Sequence, residues 1–234
     1  MKKDRIKNLL SLFFVLLVFA ICILGCKIFS QKIYSWIAIS GVLVLCGIFF
    51  FIFEHKKTSS SELAIIAVLT ALSVVGRAVF ASLPGFKPCS AIIIIAGIYF
   101  GKENGFMVGA LTPLISNFYY GQGMWTPVQM TAWGLIGFGA GLLSRQISKN
   151  KILLLIYGAF SGALFSVIMD LWSVIWADNK FSLSRYLVLM LSSLKFTLIY
   201  MLSNVIFLLV FIEPSKRIFK RLDLKFNIGT GNIQ

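Results

Sequence analysis

Long uninterrupted apolar runs constrain this chain more than any other feature, because a helix needs about 20 apolar residues, at roughly 1.5 Å each, to cross the hydrocarbon of a bilayer. Such runs are read at 9–25, 33–53, 63–82, 127–144, 152–176 and 186–212. The stretch 89–117 is apolar throughout but is broken at Gly101-Lys102-Glu103-Asn104. It predicts two short helices, each under about 16 residues and below the usual spanning length, which cross thinly, tilt little or form a re-entrant hairpin. Composition agrees, since 59% of the 234 residues are hydrophobic and 13% charged, against about half and about a quarter in soluble domains. A water-soluble globule is excluded, and the predicted class is an all-α polytopic membrane protein.

Lys and Arg number 22 and Asp and Glu 8, a net charge of +14. The cations sit at the ends of the apolar runs, so they read as topology. Threading the loops alternately places Lys2, Lys3, Arg5, Lys7, Lys56, Lys57, Lys102, Arg145, Lys149, Lys151, Lys216, Arg217, Lys220, Arg221 and Lys225 on one side. The other side receives Lys27, Lys32, Lys87, Lys180 and Arg185, and Arg77 and Lys195 stay inside spans. Cytoplasmic loops collect Lys and Arg, so both termini are expected on the cytoplasmic face of a bacterial-type plasma membrane. The charge then serves retention on that face, with a weaker pull on anionic lipid, and calls for no nucleic-acid partner.

The amino-terminal segment also matches an export signal, with a basic start, an apolar run and Ile23-Leu24-Gly25-Cys26 at the position of a lipoprotein cleavage site. Leu24 suits that site poorly and a second apolar run follows closely, so a two-helix hairpin over 9–53 is the simpler reading. Residues 54–62, with Lys56, Lys57 and Thr58-Ser59-Ser60-Ser61, have linker composition. Residues 1–62 are therefore read as a transmembrane hairpin and linker, and 63–234 as a six-helix membrane domain with a basic tail. Ser60 or Ser61 is expected to cap the next helix, with Glu62 in its first turn. Cys22, Cys26, Cys46 and Cys89 lie in apolar stretches and form no disulfide framework.

Enzyme signatures are thin. His55 is the single histidine and lies in the linker, which leaves no His-based triad, metal pair or proton relay in the membrane. Asp170 is the sole acid deep in a span, so no facing carboxylate pair exists. The run Gly97-Ile98-Tyr99-Phe100-Gly101-Lys102-Glu103 has the wrong spacing for a phosphate loop and lacks its Ser or Thr. No enzyme, cofactor or metal site is read. Charges inside spans are expensive and mark function or packing. Arg77, Asp170 and Lys195 all fall in the outer half of their helices, and Asp170 and Lys195, on consecutive antiparallel helices, are expected to form an ion pair. Such a pair fastens two helices, with Arg77 reaching the outer headgroups, or it belongs to a polar outward-facing cavity.

The block from Asn117 to Met130 carries no charge, two glycines and a dense set of aromatic and amide side chains, as a ligand lid would. Trp125, Gln129 and Trp133 recur at i, i+4 and i+8 and share a face that can line a pocket. An interfacial aromatic belt accounts for Tyr119 and Tyr120 but poorly for Asn117, Gln122 and Gln129. Trp172 and Trp176 repeat the four-residue spacing, and Lys87 lies in the outer loop Pro84-Gly85-Phe86-Lys87-Pro88. Aromatic walls with a few polar groups are the usual make-up of a small-molecule site. Small residues form a second pattern: Gly97/Gly101, Gly105/Gly109, Gly137/Gly141 and Gly158/Gly162 are four apart, which lets helix backbones approach closely. Ala64, Ala67 and Ala71 make a comparable strip in the cytoplasmic half of their helix, where a partner helix could dock.

Residues 62–212 resemble the substrate-binding S components of energy-coupling factor (ECF) transporters. The marks are Ala67-Val68-Leu69-Thr70-Ala71, similar to the family's first-helix Ala-x-x-x-Ala contact with its coupling subunit, the proline-containing first outer loop, and a long third outer loop at 117–130. That block looks most like the cobalamin or corrinoid branch. The resemblance implies capture of a vitamin from outside and delivery inward with a transmembrane coupling subunit and two cytoplasmic ATPases. It implies a ligand site in the outer loops and outer helix ends, hence Lys87, Asn117, Tyr120, Gln122, Trp125, Gln129, Trp133, Asp170 and Trp176. The amino-terminal hairpin is not part of that six-helix plan. A free-standing secondary carrier of a small heterocycle, coupled through Asp170 and Lys195, and a non-transporting scaffold are the alternative readings.

Overall fold

The structure, a computed structural model, describes residues 34–55 and 59–226. It contains α1 (Tyr34–Glu54), α2 (Ser60–Val79), α3 (Cys89–Phe100), α4 (Lys102–Tyr120), α5 (Trp125–Leu142), α6 (Ser144–Ile147), α7 (Lys151–Asp178) and α8 (Leu183–Phe226), with no strand among the described residues. By length and composition α2, α7 and α8 are each able to cross a membrane. The predicted first span 9–25, the Ile23-Leu24-Gly25-Cys26 tetrad and Lys56 and Lys57 of the linker lie outside the described residues.

Local chemistry sets the helix ends. Ser59, one position before the expected pair, caps α2: the Glu62 N–H donates to Ser59 Oγ at 3.2 Å and the Ser59 N–H donates to the Glu62 carboxylate at 3.3 Å. Asn150 caps α7 by accepting from the N–H groups of Ile152 and Leu153. The break at Gly101 is real and consists of one residue at φ +91°, where a side chain would be strained. It folds α4 back onto α3.

The two halves of that broken stretch differ. Helix α3 has 12 residues, about 18 Å, too short to cross alone. It is apolar on every side and enclosed by α2, α4, α5 and α8, with Ala91, Ile93, Ile94, Ala96 and Ile98 fully buried. A helix without a polar face belongs in a core. Helix α4 runs to 19 residues, longer than expected, because Asn117 finds partners inside the bundle and does not end the helix.

Glycines bring α4 and α5 together. A Cβ on Gly105 would lie 2.5 Å from the Gly137 carbonyl oxygen, and the Trp133 carbonyl oxygen occupies the space a Cβ on Gly109 would need. The α7–α8 pair uses the same device, with a Cβ on Gly162 falling 2.6 Å from the Met201 amide nitrogen. The four-residue glycine spacing thus marks internal helix contacts.

Helix α1 lies on α4 and α5, where Phe49 stacks on Phe106 at 3.9 Å and meets Phe138 edge-on at 5.1 Å. At the other end of the chain, α8 does not stop near 212. It continues through Pro214 to Phe226, so the described part of the basic tail is helical, and Phe219 holds it against Tyr99 and Phe100 at ring separations of 5.1 and 4.8 Å.

Gly137→Ala should lower the unfolding midpoint in detergent by several degrees, since overpacking a close contact costs about 1–3 kcal/mol. Gly47→Ala, with nothing within 4 Å of the new Cβ, should leave it unchanged or raised. Equal midpoints for the two variants would contradict the close approach of α4 and α5.

Candidate functional site

Arg77 stands in the last turn of α2 and is buried, turned into the bundle. Its Nη1 donates to Ser116 Oγ and, at 2.8 Å, to Asn117 Oδ1, both on α4. The Tyr120 hydroxyl donates to the Arg77 carbonyl at 2.6 Å, and the Tyr120 ring lies 4.6 Å from the guanidinium. Trp133 of α5 presents its ring at 5.2 Å. No ion pair between Arg77 and an Asp or Glu is found among the described residues.

Asn117 carries this network across to α5. Its Nδ2 donates to Thr126 Oγ1 and to Gln129 Oε1, each at 2.9 Å. Thr126 donates in turn to Gln122 Oε1 at 2.9 Å, and Gln122 Nε2 donates to the Leu114 carbonyl at 2.8 Å. These amides therefore tie the end of α4 to the start of α5. The long loop expected over 117–130 shrinks to 121–124, with Gly121 at φ +97° making the turn. The connecting chain that borders the cavity is instead 80–88. Lys87 anchors it, its N–H donating to Ser203 Oγ at 2.9 Å and its carbonyl accepting from the same hydroxyl at 3.0 Å.

Between α2, α3, α5, α7, α8 and this loop lies a cavity of about 280 Å³. Its polar lining comprises Arg77, Lys87, Gln129 and Ser90 with Asp170, Ser166, Ser193 and Asn204. Trp133, Phe165, Phe196 and Tyr200 form an aromatic wall, with Trp133 stacked on Phe165 at 4.6 Å and its Nε1 donating to Ser90 Oγ at 3.1 Å. Ser193 donates to Asp170 Oδ2 at 2.6 Å. Burial, with the nearby Arg77 charge, pushes the Lys87 ammonium below its ordinary pKa of 10.5.

The family model for the ECF-type riboflavin transporter S component matches residues 57–217. The chain belongs to this family. No curated protein and no solved structure matches it. This S component is thus a substrate-specific membrane subunit of an ECF vitamin transporter, with a multi-pass helical fold.

Of the residues expected at its site, Lys87, Gln129, Trp133 and Asp170 line the cavity. Asn117 and Tyr120 stand behind it, holding Arg77 and Gln129. Gln122 and Trp125 are exposed at the loop, so the i, i+4, i+8 face of Trp125, Gln129 and Trp133 enters the cavity with its two inner members. Trp176 is exposed on the outside of α7, stacked on Trp172 at 5.6 Å and edge-on to Trp36 of α1 at 6.3 Å. It packs against α1 and does not line this cavity. The expected Asp170–Lys195 pair does not form: Lys195 is exposed, because it lies two residues, about 200° of helix, from the Ser193 that meets Asp170. That geometry removes the ion-coupling pair of the secondary-carrier reading. Arg77, singled out as an intramembrane charge but not assigned to the site, lines the cavity. Tyr200, Asn204, Ser193 and Phe165 were not anticipated. The signal for three of them was a polar stripe on α8, at 193, 197, 200 and 204, with helical spacing.

Between the lowered Lys87 pKa and 10.5, the unfolded chain holds a proton that the folded chain has released, so stability rises with pH in that window. Melting of the ligand-free protein from about pH 8 to 10 should show this slope, and Lys87→Met should flatten it.

Proposed function

We propose that the vitamin is a flavin, with riboflavin the first candidate, and that it is carried in the cavity between Arg77 and Asp170. The observation that carries this reading is the pairing of a cavity of about 280 Å³ with the riboflavin description of the matched family. That volume sits near the low end of the ~300–1,000 Å³ typical of small-molecule sites and suits a flat fused ring, while a corrinoid is several times too large. The wall of Trp133, Phe165, Phe196 and Tyr200 offers apolar area to the isoalloxazine. Arg77, Lys87 and the Gln129 amide offer donors to its pyrimidinedione oxygens. Asp170, Ser166 and Asn204 suit the hydroxyls of a ribityl chain. The corrinoid expectation gains no support from the family match or from the cavity.

Flavin fluorescence quenching by the purified protein tests the assignment. Arg77→Met and Gln129→Leu should each weaken riboflavin binding about 10- to 100-fold, the scale of a buried charge-assisted or amide hydrogen bond. Trp125→Phe should leave it unchanged. Riboflavin failing to quench against wild type, with another vitamin raising the melting temperature, would reject the flavin assignment.

Helix α2 links the site to the transport cycle. Ala64, Ala67 and Ala71 are exposed on its cytoplasmic half, together with Leu63, Val68 and Leu72. This strip is proposed as the face that meets the transmembrane coupling subunit, which works with two cytoplasmic ATPases, and both chain termini are proposed to lie on the cytoplasmic side, from the distribution of Lys and Arg. Residues 1–62 are proposed as an accessory hairpin and linker, since α1 attaches to the outside of the α4–α5 pair. Ala67→Trp with Ala71→Trp should abolish uptake in cells carrying the whole transporter while flavin binding by the isolated subunit stays within about twofold. Normal uptake by that variant would exclude this face.

A further inference from the structure

Helix α8 carries one unbroken exposed face from the outer side to its far end. Leu187, Leu191, Leu198, Leu202 and Leu209 follow spacings of four and seven, so they share that face, and all are between 41% and 73% exposed. The same spacing continues into Lys216 and Lys220, flanked by Arg217 and Arg221, all four exposed. A face whose apolar part suits acyl chains therefore becomes cationic about two turns further along. From Lys216 to Arg221 is about 7.5 Å, the depth of one headgroup layer, since hydrocarbon and headgroups together exceed the hydrocarbon by about 10–15 Å for both leaflets.

The cations are presented rigidly. Phe219, between them in sequence but turned inward, is buried against Tyr99 and Phe100 and keeps α8 against the body beyond the level at which the leucines end. Glu213 is exposed beside the four cations, and Asp223, half-buried, follows Lys220 by three residues, so the cluster keeps a net positive charge. Ile218 is 54% exposed beside them. An exposed basic cluster joined to an exposed apolar stripe on a helix long and apolar enough to span fits an anionic lipid better than a soluble acidic protein, because such a stripe is suited to acyl chains.

We propose that Lys216, Arg217, Lys220 and Arg221 form a binding site for anionic phospholipid headgroups of the cytoplasmic leaflet, held next to the leucine face of α8. The leaflet follows from the orientation proposed above, whereas binding to the purified chain in detergent does not depend on it, so the two stand or fall separately.

Native mass spectrometry of the full chain, titrated in detergent with phosphatidylglycerol or phosphatidylcholine, tests this. Phosphatidylglycerol should bind preferentially, and more weakly as salt rises. At about fivefold per cation, Lys216→Gln with Lys220→Gln should weaken phosphatidylglycerol binding roughly thirtyfold. Lys216→Arg with Lys220→Arg should retain it, which separates lost charge from misfolding. Arg145→Gln with Lys149→Gln and Lys151→Gln, in a different basic loop, should change it less than twofold. Equal affinity for the two lipids, or equal loss in the loop variant, would overturn the site. Retained phosphatidylglycerol binding by the Gln pair, with loss of the copurifying ATPases from the assembled transporter, would overturn it in favour of a protein partner.

Discussion

A guanidinium cannot be left against hydrocarbon without cost, and the way Arg77 is accommodated organises the end of the bundle that holds the cavity. Its partners are neutral, Ser116 and Asn117 on α4 with the faces of Tyr120 and Trp133, so its positive charge is solvated but not cancelled. Asn117 spends its oxygen on Arg77 and its amide on Thr126 and Gln129, which fixes the α4–α5 turn and the register of Gln129. One buried charge thereby positions the polar side of the cavity.

Close backbone contact makes room for that cavity. Where glycines remove side chains, at Gly105, Gly109 and Gly137, α4 and α5 touch, and the short α3 is enclosed with no lipid-facing side. Where aromatic side chains stand instead, at Trp133, Phe165, Phe196 and Tyr200, the helices cannot close, and the space between α5, α7 and α8 persists. Tight packing at one level and bulky packing at another are two outcomes of the same side-chain volume rule.

The helical architecture was legible because its signals are local and strong: apolar runs of spanning length, a glycine break at 101, and small residues four apart. The cavity was legible in part. Lys87, Gln129, Trp133 and Asp170 were found from charge and spacing, since a polar group in an apolar helix has few places to go. Trp125 and Trp176 misled because an indole at a membrane surface and an indole in a pocket share the same sequence pattern. The 117–130 block looked like a loop because amides and aromatics were counted without their partners; once Asn117, Gln122 and Thr126 bond to one another, the helices extend through it.

The sequence by itself determined that the chain is a polytopic helical membrane protein, because hydrophobic length, charge at the ends of spans and short-range spacing need no knowledge of distant contacts, while its likeness to S components rested on short motifs. Tertiary structure alone decided which polar side chains converge, for example that Asp170 meets Ser193 and not Lys195, and that Arg77 turns inward. Those outcomes depend on the rotation of each helix about its axis, and rotation is set by packing against neighbours far away in the chain, which no local pattern encodes.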